Sequence, residues 1–116
     1  MRLQNVLFAA LAAQLPVAAS SQPSANVSCK IGPVTKTYGG TKWLVYACDD
    51  KKSLVVVTAP GNPAMPFYFF FYPDSGGYHL HGEGTGDKKL TDAAYKDLAA
   101  LADSDIVALE IEASRR

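Results

Sequence analysis

The sequence predicts an α+β fold, in which a small antiparallel sheet of about four to five strands precedes one C-terminal helix or two. Short β-rich segments alternate with glycine- and proline-containing turns as far as Gly82, which is typical of a meander of strands. After Thr91 the apolar residues recur at three- and four-residue spacing, which is the helical period. Because the strands come first and the helices last, we expect the helical part to pack on one face of the sheet.

The first residues have the pattern of a secretory signal peptide. The basic Arg2 precedes an apolar run at residues 6–13, and small side chains follow at residues 17–20, as a signal peptidase requires. The apolar run is far shorter than the roughly 18–20 residues of a membrane-spanning helix. We therefore expect a signal peptide at residues 1–19, a flexible polar leader at 20–26 and a single α+β domain at 27–116, with no membrane anchor after cleavage.

The two cysteines, Cys29 and Cys48, are consistent with export. An oxidising compartment allows such a pair to close, and a ring of about 20 residues is worth roughly 3 kcal/mol by the chain-entropy model. The pair lacks the Cys-x-x-Cys spacing that is usual for redox-active thiols. The sequence therefore predicts a structural disulfide and a periplasmic or secreted protein.

The turn signals divide the β-rich region into short strands. Gly32 and Pro33 separate the first two segments, and a four-residue polar turn at residues 49–52 joins the next two as a hairpin. Residues 67–72 are six aromatics in a row, which indicates a strand by composition. Two short strand-like segments lie at residues 27–30 and 34–38, and the further strands are predicted at 42–48, 53–59, 67–72 and 78–82.

The aromatic strand gives the predicted sheet two unlike faces. If Phe71 pairs with Tyr78, the alternation of side chains puts Phe67, Phe69, Phe71, Tyr78 and Leu80 on an apolar face. The opposite face then carries Tyr68, Phe70, Tyr72, His79 and His81. A register shift of one residue would bury both histidines without partners, which is costly.

The second face contains the predicted partner-binding residues Tyr68, Phe70 and Tyr72. Trp43, on a neighbouring strand, is included because it could lie on either face. An uncovered aromatic patch of this kind docks protein partners or flat ligands. The alternative is that another part of the chain covers this face, since a run of six aromatics is also typical of a strand that is buried on both sides.

The helical region begins after a glycine-rich segment at residues 82–86. Thr91 is the predicted cap of a helix over residues 92–102. The tail is ambiguous, because Ser104 could cap a second helix while residues 107–111 also alternate as in a strand; its alanine, leucine and glutamate content favours helix. The glycine-rich segment lies where phosphate-binding loops occur, but Glu83 would repel an anion, so we expect a flexible connector.

One cluster, His79, His81 and Glu83, has the chemistry of a metal site. Alternate residues of a strand point the same way, so two imidazoles and a carboxylate could converge on zinc or copper. No further ligand is apparent in the sequence, and we predict no cofactor.

The charged residues argue against a nucleic-acid partner. Eleven basic and eleven acidic side chains give a net charge of zero, and the lysines are scattered along the chain. A protein that binds the phosphate backbone needs a concentrated basic face.

Part of the chain shows a family likeness. Residues 44–50 (Leu-Val-Tyr-Ala-Cys-Asp-Asp), the Leu-Val-Val-Val strand, the aromatic strand and the Tyr-His-Leu of residues 78–80 resemble the opening half of the membrane-bound inhibitors of C-type lysozyme. The Ser-Gly-x-x-Tyr loop of that family is missing here, and this chain turns helical where the family continues as a barrel. The resemblance implies an inhibitor of a lytic enzyme that acts through residues 49–52 or 60–66.

The sequence thus predicts a small exported protein of binding or structural type, with no identifiable catalytic site. The expected partner is another envelope or extracellular protein. A lysozyme-inhibitor-like protein is the alternative, and a metal-binding protein that uses the histidine pair is the third possibility.

Overall fold

A computed structural model describes residues 27–116 as a five-stranded antiparallel sheet followed by two helices. The strands lie in the sheet in chain order, so the predicted α+β meander is confirmed. The predicted signal peptide and leader fall outside the described residues, and no helix within residues 27–116 is long and apolar enough to cross a membrane. The elements are β1 (Ile31–Tyr38), β2 (Thr41–Ala47), β3 (Leu54–Thr58), β4 (Phe67–Asp74), β5 (Gly77–Gly84), α1 (Lys88–Ala99) and α2 (Asp103–Ser114).

The start of the domain is held by the predicted disulfide, Cys29–Cys48, rather than by a strand. The strand expected at residues 27–30 does not form. This segment lies beside the end of β2, where the Asp49 N–H donates to the Ser28 carbonyl at 2.8 Å and the Ser28 N–H donates to the Asp49 carboxylate at 3.2 Å. The disulfide and these two hydrogen bonds take the place of strand pairing.

The core forms between the helices and one face of the sheet. Every second side chain of the central strands points to the helices, as the pleat of a strand requires. Full burial of a large apolar side chain is worth about 1.5–3 kcal/mol, so this single layer is the main source of stability. The buried apolar residues are Val34, Tyr38, Trp43, Val45, Ala47, Leu54, Val56, Ala64, Phe69, Phe71, Ala94, Leu98, Ile106, Leu109 and Ala113.

Trp43 belongs to this core and is fully buried. Its ring packs on Phe69 with the centroids 5.3 Å apart, and its Nε1 donates to the Tyr38 carbonyl at 3.1 Å. The prediction that Trp43 contributes to the partner-binding face is therefore wrong. Burial favours so large a ring, and the indole N–H finds an acceptor inside the protein.

The β4–β5 hairpin has the predicted faces, but its register differs from the predicted one by two residues. Phe71 pairs with Leu80 instead of Tyr78. The turn is shorter than expected because β4 continues to Asp74, whose carboxylate accepts from the Gly76 N–H at 2.7 Å, a common turn-forming bond. A shift of two residues leaves each side chain on its own face, so the face assignment is correct.

The glycine-rich segment at residues 82–86 is packed closely, contrary to the expectation of a flexible connector. The N–H groups of Thr85 and Gly86 donate to the Pro66 carbonyl at 3.1 and 3.0 Å. A Cβ at Gly86 would overlap the carbonyl oxygen of Ala64. Glycine is needed here because two backbones approach each other closely.

An aspartate near the start of each helix accepts hydrogen bonds from backbone N–H groups there. Asp87, and not Thr91, caps α1, because its carboxylate accepts from two first-turn N–H groups at 2.9 and 3.3 Å. Thr91 is buried inside the helix. The ambiguous tail is helical, as its composition favours, and the Ala102 N–H donates to the Asp105 carboxylate at 2.9 Å at the start of α2.

The close approach at Gly86 predicts a large effect of a single methyl group. Gly86→Ala should lower the free energy of unfolding by about 2 kcal/mol or more, since the loop that contains Gly86 and the loop that contains Ala64 must move apart. Gly76→Ala is the matched control, because a Cβ there lies 3.5 Å from the Asp74 carboxylate, an ordinary contact, and should change stability by less than about 0.5 kcal/mol. Urea denaturation measures both; equal effects of the two substitutions would contradict the packing described.

Candidate functional site

The sheet has a second face, opposite the helices, which we call the outer face. Both helices pack on the core side, with α2 against β1 and β2, and α1 against β1 and β5. No helix or strand of residues 27–116 packs on the outer face. Its apolar and aromatic members are Leu44, Tyr46, Val55, Val57, Tyr68, Phe70 and Tyr72.

The outer face is one continuous apolar patch with a polar rim. Side chains that lie opposite each other on neighbouring strands are about 4.5–5.5 Å apart at Cβ, so the rows across the sheet leave no gaps. The patch extends over three strands, β2, β3 and β4, roughly 10 Å. The two central rows, each ending in a polar residue of β5, are Leu44–Val57–Tyr68–Glu83 and Tyr46–Val55–Phe70–His81.

The predicted partner-binding residues of β4 lie together on this outer face. Tyr68 and Tyr72 are each 38% exposed, and Phe70 between them is partly exposed. Within the described residues the aromatic strand is therefore buried on one side only. The second possibility left by the sequence, a strand covered on both sides, does not apply to this part of the chain.

The aromatic rings of the outer face hold one another in place. Phe70 stacks on Tyr72 with the centroids 5.6 Å apart, and Tyr72 stacks on His79 of β5 with the centroids 5.4 Å apart. A surface whose side chains are already ordered loses less entropy when a partner binds.

The polar rim consists of imidazole–carboxylate pairs rather than a metal site. His79 contacts the Asp74 carboxylate, while Nε2 of His81 lies 3.6 Å from Oε1 of Glu83. Among residues 27–116, no three side chains of metal-ligating type converge. The structure thus does not support the predicted triad of His79, His81 and Glu83, because the two imidazoles engage different carboxylates.

Glu83 also fixes the hydroxyl of Tyr68. The Tyr68 hydroxyl donates to Oε1 of Glu83 at 3.0 Å. This hydrogen bond, with smaller contributions from partial burial and from the negative charge of Glu83, raises the pKa of Tyr68 above its ordinary value. The Tyr68 phenol is thus tied to Glu83 at the rim of the patch.

A shallow cavity of about 280 Å³ adjoins the outer face at the start of β4. Its walls are mainly apolar, and the exposed Met65 forms its outer lip. Residues 60–66, one of the two segments implied by the inhibitor resemblance, thus border the outer face, whereas residues 49–52 lie at the other end of the sheet. The lining residues are Thr58, Met65, Pro66, Phe67, Tyr68, Glu83 and Gly84.

Sequence reasoning missed the part of the patch that comes from β2 and β3. Their outer residues are Leu44, Tyr46, Val55 and Val57. A signal was present, because pairing residues 42–48 with 53–59 across the polar turn assigns these side chains to one face. The continuous Leu-Val-Val-Val run concealed it, since such a run shows no alternation.

The hydrogen bond between Tyr68 and Glu83 predicts a shift in titration. Glu83→Ala should lower the pKa of Tyr68 towards 10, because the phenolate is no longer disfavoured by a neighbouring acceptor and negative charge. An NMR titration of the tyrosine ring signals measures this, with Glu112→Ala on α2 as a control that removes an equal charge elsewhere. An unchanged Tyr68 pKa in Glu83→Ala would show that the bond does not form in solution.

Comparison of the chain with protein-family models, with curated proteins and with solved structures finds no match in any of the three. The indication of function therefore comes from the chemistry of the outer face.

Proposed function

We propose that this protein is an exported, non-enzymatic binding protein whose outer face docks another envelope or extracellular protein. The observation that carries the proposal is an apolar sheet face, three strands wide and bordered by polar residues of a fourth, that no element of residues 27–116 covers. Large contiguous apolar patches with a polar border mark interaction sites in soluble proteins.

The composition of the outer face fits a protein partner. Tyrosine is enriched at protein interfaces because a large apolar ring ends in a hydroxyl that can bond at the edge. Tyr68 and Tyr72 supply such rings, and Leu44, Val55 and Val57 form an aliphatic surface beside them. His79 and Glu83 border this centre, as the polar rim of an interface does.

The exposure of the rim supports binding rather than catalysis. The side chains of His79 and His81 are 48% and 56% exposed and lie on an edge strand. Catalytic acid–base groups work in sheltered sites where water is excluded and electrostatic interactions are strong. Imidazoles at the open edge of a sheet are better placed to make polar contacts around an apolar interface.

Export is supported by the disulfide and by the N-terminal sequence. Cys29 and Cys48 are joined, and such bonds persist in oxidising compartments. The apolar run at residues 6–13, with the small residues that follow, has the pattern of a signal peptide. A periplasmic or secreted protein that exposes an apolar face would meet its partner in the same compartment.

The proposal predicts that partner binding depends on Tyr68 and Tyr72 but not on Tyr95. The purified oxidised protein should capture a partner from envelope or secreted proteins, and Tyr68→Ala with Tyr72→Ala should weaken capture at least about thirtyfold, since even one interface hot spot costs about 2 kcal/mol or more. Tyr95→Ala is the matched control, because Tyr95 is 47% exposed but lies on α1, on the opposite side of the sheet.

Melting temperatures of the variants confirm that each one folds. Undiminished capture by the folded Tyr68/Tyr72 double variant, or an equal loss in Tyr95→Ala, would overturn the proposal.

A further inference from the structure

The two edges of the sheet differ in their protection. Natural sheets block edge strands with proline, lysine, bulges or covering elements, because an open edge pairs with other strands. The edge at β1 has all four: Pro33, a bulge between Ile31 and Val34, Lys36, and both helices packed beside it. Lys36 also forms a salt bridge with Glu112 of α2, with Nζ 2.9 Å from Oε1.

The other edge, β5, is less protected than β1. Its eight residues pair with β4 without a break, and none of them is proline or lysine. Helix α1 packs against it, and Asp103 of α2 lies beside Gly77 at its start. Within residues 27–116, β5 has a strand neighbour on one side only.

The backbone of β5 presents a regular row of free groups on its open side. The two-residue turn makes Asp74 and Gly77 a hydrogen-bonded pair, and such pairs then alternate along the hairpin. The bond from the Thr85 N–H to the Pro66 carbonyl, just beyond the strand, follows the same alternation. Odd-numbered residues of β5 thus bond to β4, and the outward groups belong to Tyr78, Leu80, Gly82 and Gly84.

We propose that β5 pairs in antiparallel fashion with β5 of a second copy of this chain, about a two-fold axis beside His81. A two-fold axis pairs one strand with itself. The outward groups of one copy then meet those of the other, with Leu80 opposite Gly82 and Tyr78 opposite Gly84. The result is a ten-stranded sheet whose two outer faces are continuous.

The side chains favour this register. It places His79 of each copy opposite Glu83 of the other, where an imidazole N–H can donate to the carboxylate across the strand pair. It also places each bulky residue of the core side, Tyr78 and Leu80, opposite a glycine. A register centred on Leu80 would instead oppose two leucines, with His79 facing His81.

A cysteine introduced at the axis tests the proposal. In His81→Cys the two thiols would face each other in a non-hydrogen-bonded pair with the Cα atoms about 4.5 Å apart, within disulfide range. His79→Cys is the matched control on the same exposed side of the strand. In the proposed register its two copies lie about 13 Å apart along the strands, which is too far to bridge.

The expected result is that light scattering of the oxidised wild-type protein gives twice the mass of one chain. Mild oxidation should cross-link His81→Cys completely and His79→Cys hardly at all, with Cys29–Cys48 intact by mass spectrometry. A wild-type monomer at micromolar concentration would overturn the proposal, even if β5 captured a strand of another protein. Equal cross-linking of both variants, or of His79→Cys alone, would overturn it as well.

Discussion

The packing of Phe69 determines which face of the sheet is buried. Its ring lies 5.3 Å from that of Trp43 and 6.4 Å from that of Tyr95 on α1, measured between centroids. Because side chains alternate along a strand, a Phe69 that points to the helices forces Tyr68 and Phe70 to the opposite face. The run of six aromatic residues at 67–72 therefore contributes side chains to both the core and the outer face.

The same interaction also shapes the edge of the sheet. A Cβ at Gly82 would lie 2.9 Å from the ring of Phe69, so glycine on β5 leaves the space that this ring occupies. Gly84 likewise admits Phe67 and the Pro66 carbonyl. The core packing of β4 thus requires glycine at positions 82 and 84 of β5. At these two positions no side chain covers the core side of the open edge.

Much of the fold follows from local sequence patterns, whereas the departures come from tertiary contacts. Turn residues and periodicity predict the strand order, the face of each β4 residue and the helical region. They do not reveal that Asp87 replaces Thr91 as the cap, because both residue types cap helices and only packing buries Thr91. They also cannot assign Trp43 to a face, since that depends on which strands lie beside Phe69. The metal triad is not formed among residues 27–116 for a similar reason: strand spacing aligns His79, His81 and Glu83, but Asp74 contacts His79 and Tyr68 bonds to Glu83.

The central claim is that one face of the sheet is packed and the other is open to solvent, and paramagnetic relaxation by a soluble probe in NMR tests it most directly. The ring signals of Tyr68 and Tyr72 should relax strongly in the presence of the probe, while those of Trp43 and Phe69 should be nearly unaffected, in line with their exposures of 38%, 38%, 0% and 1%. Equal protection of all four rings in the free protein would show that the outer face is covered and would contradict the account.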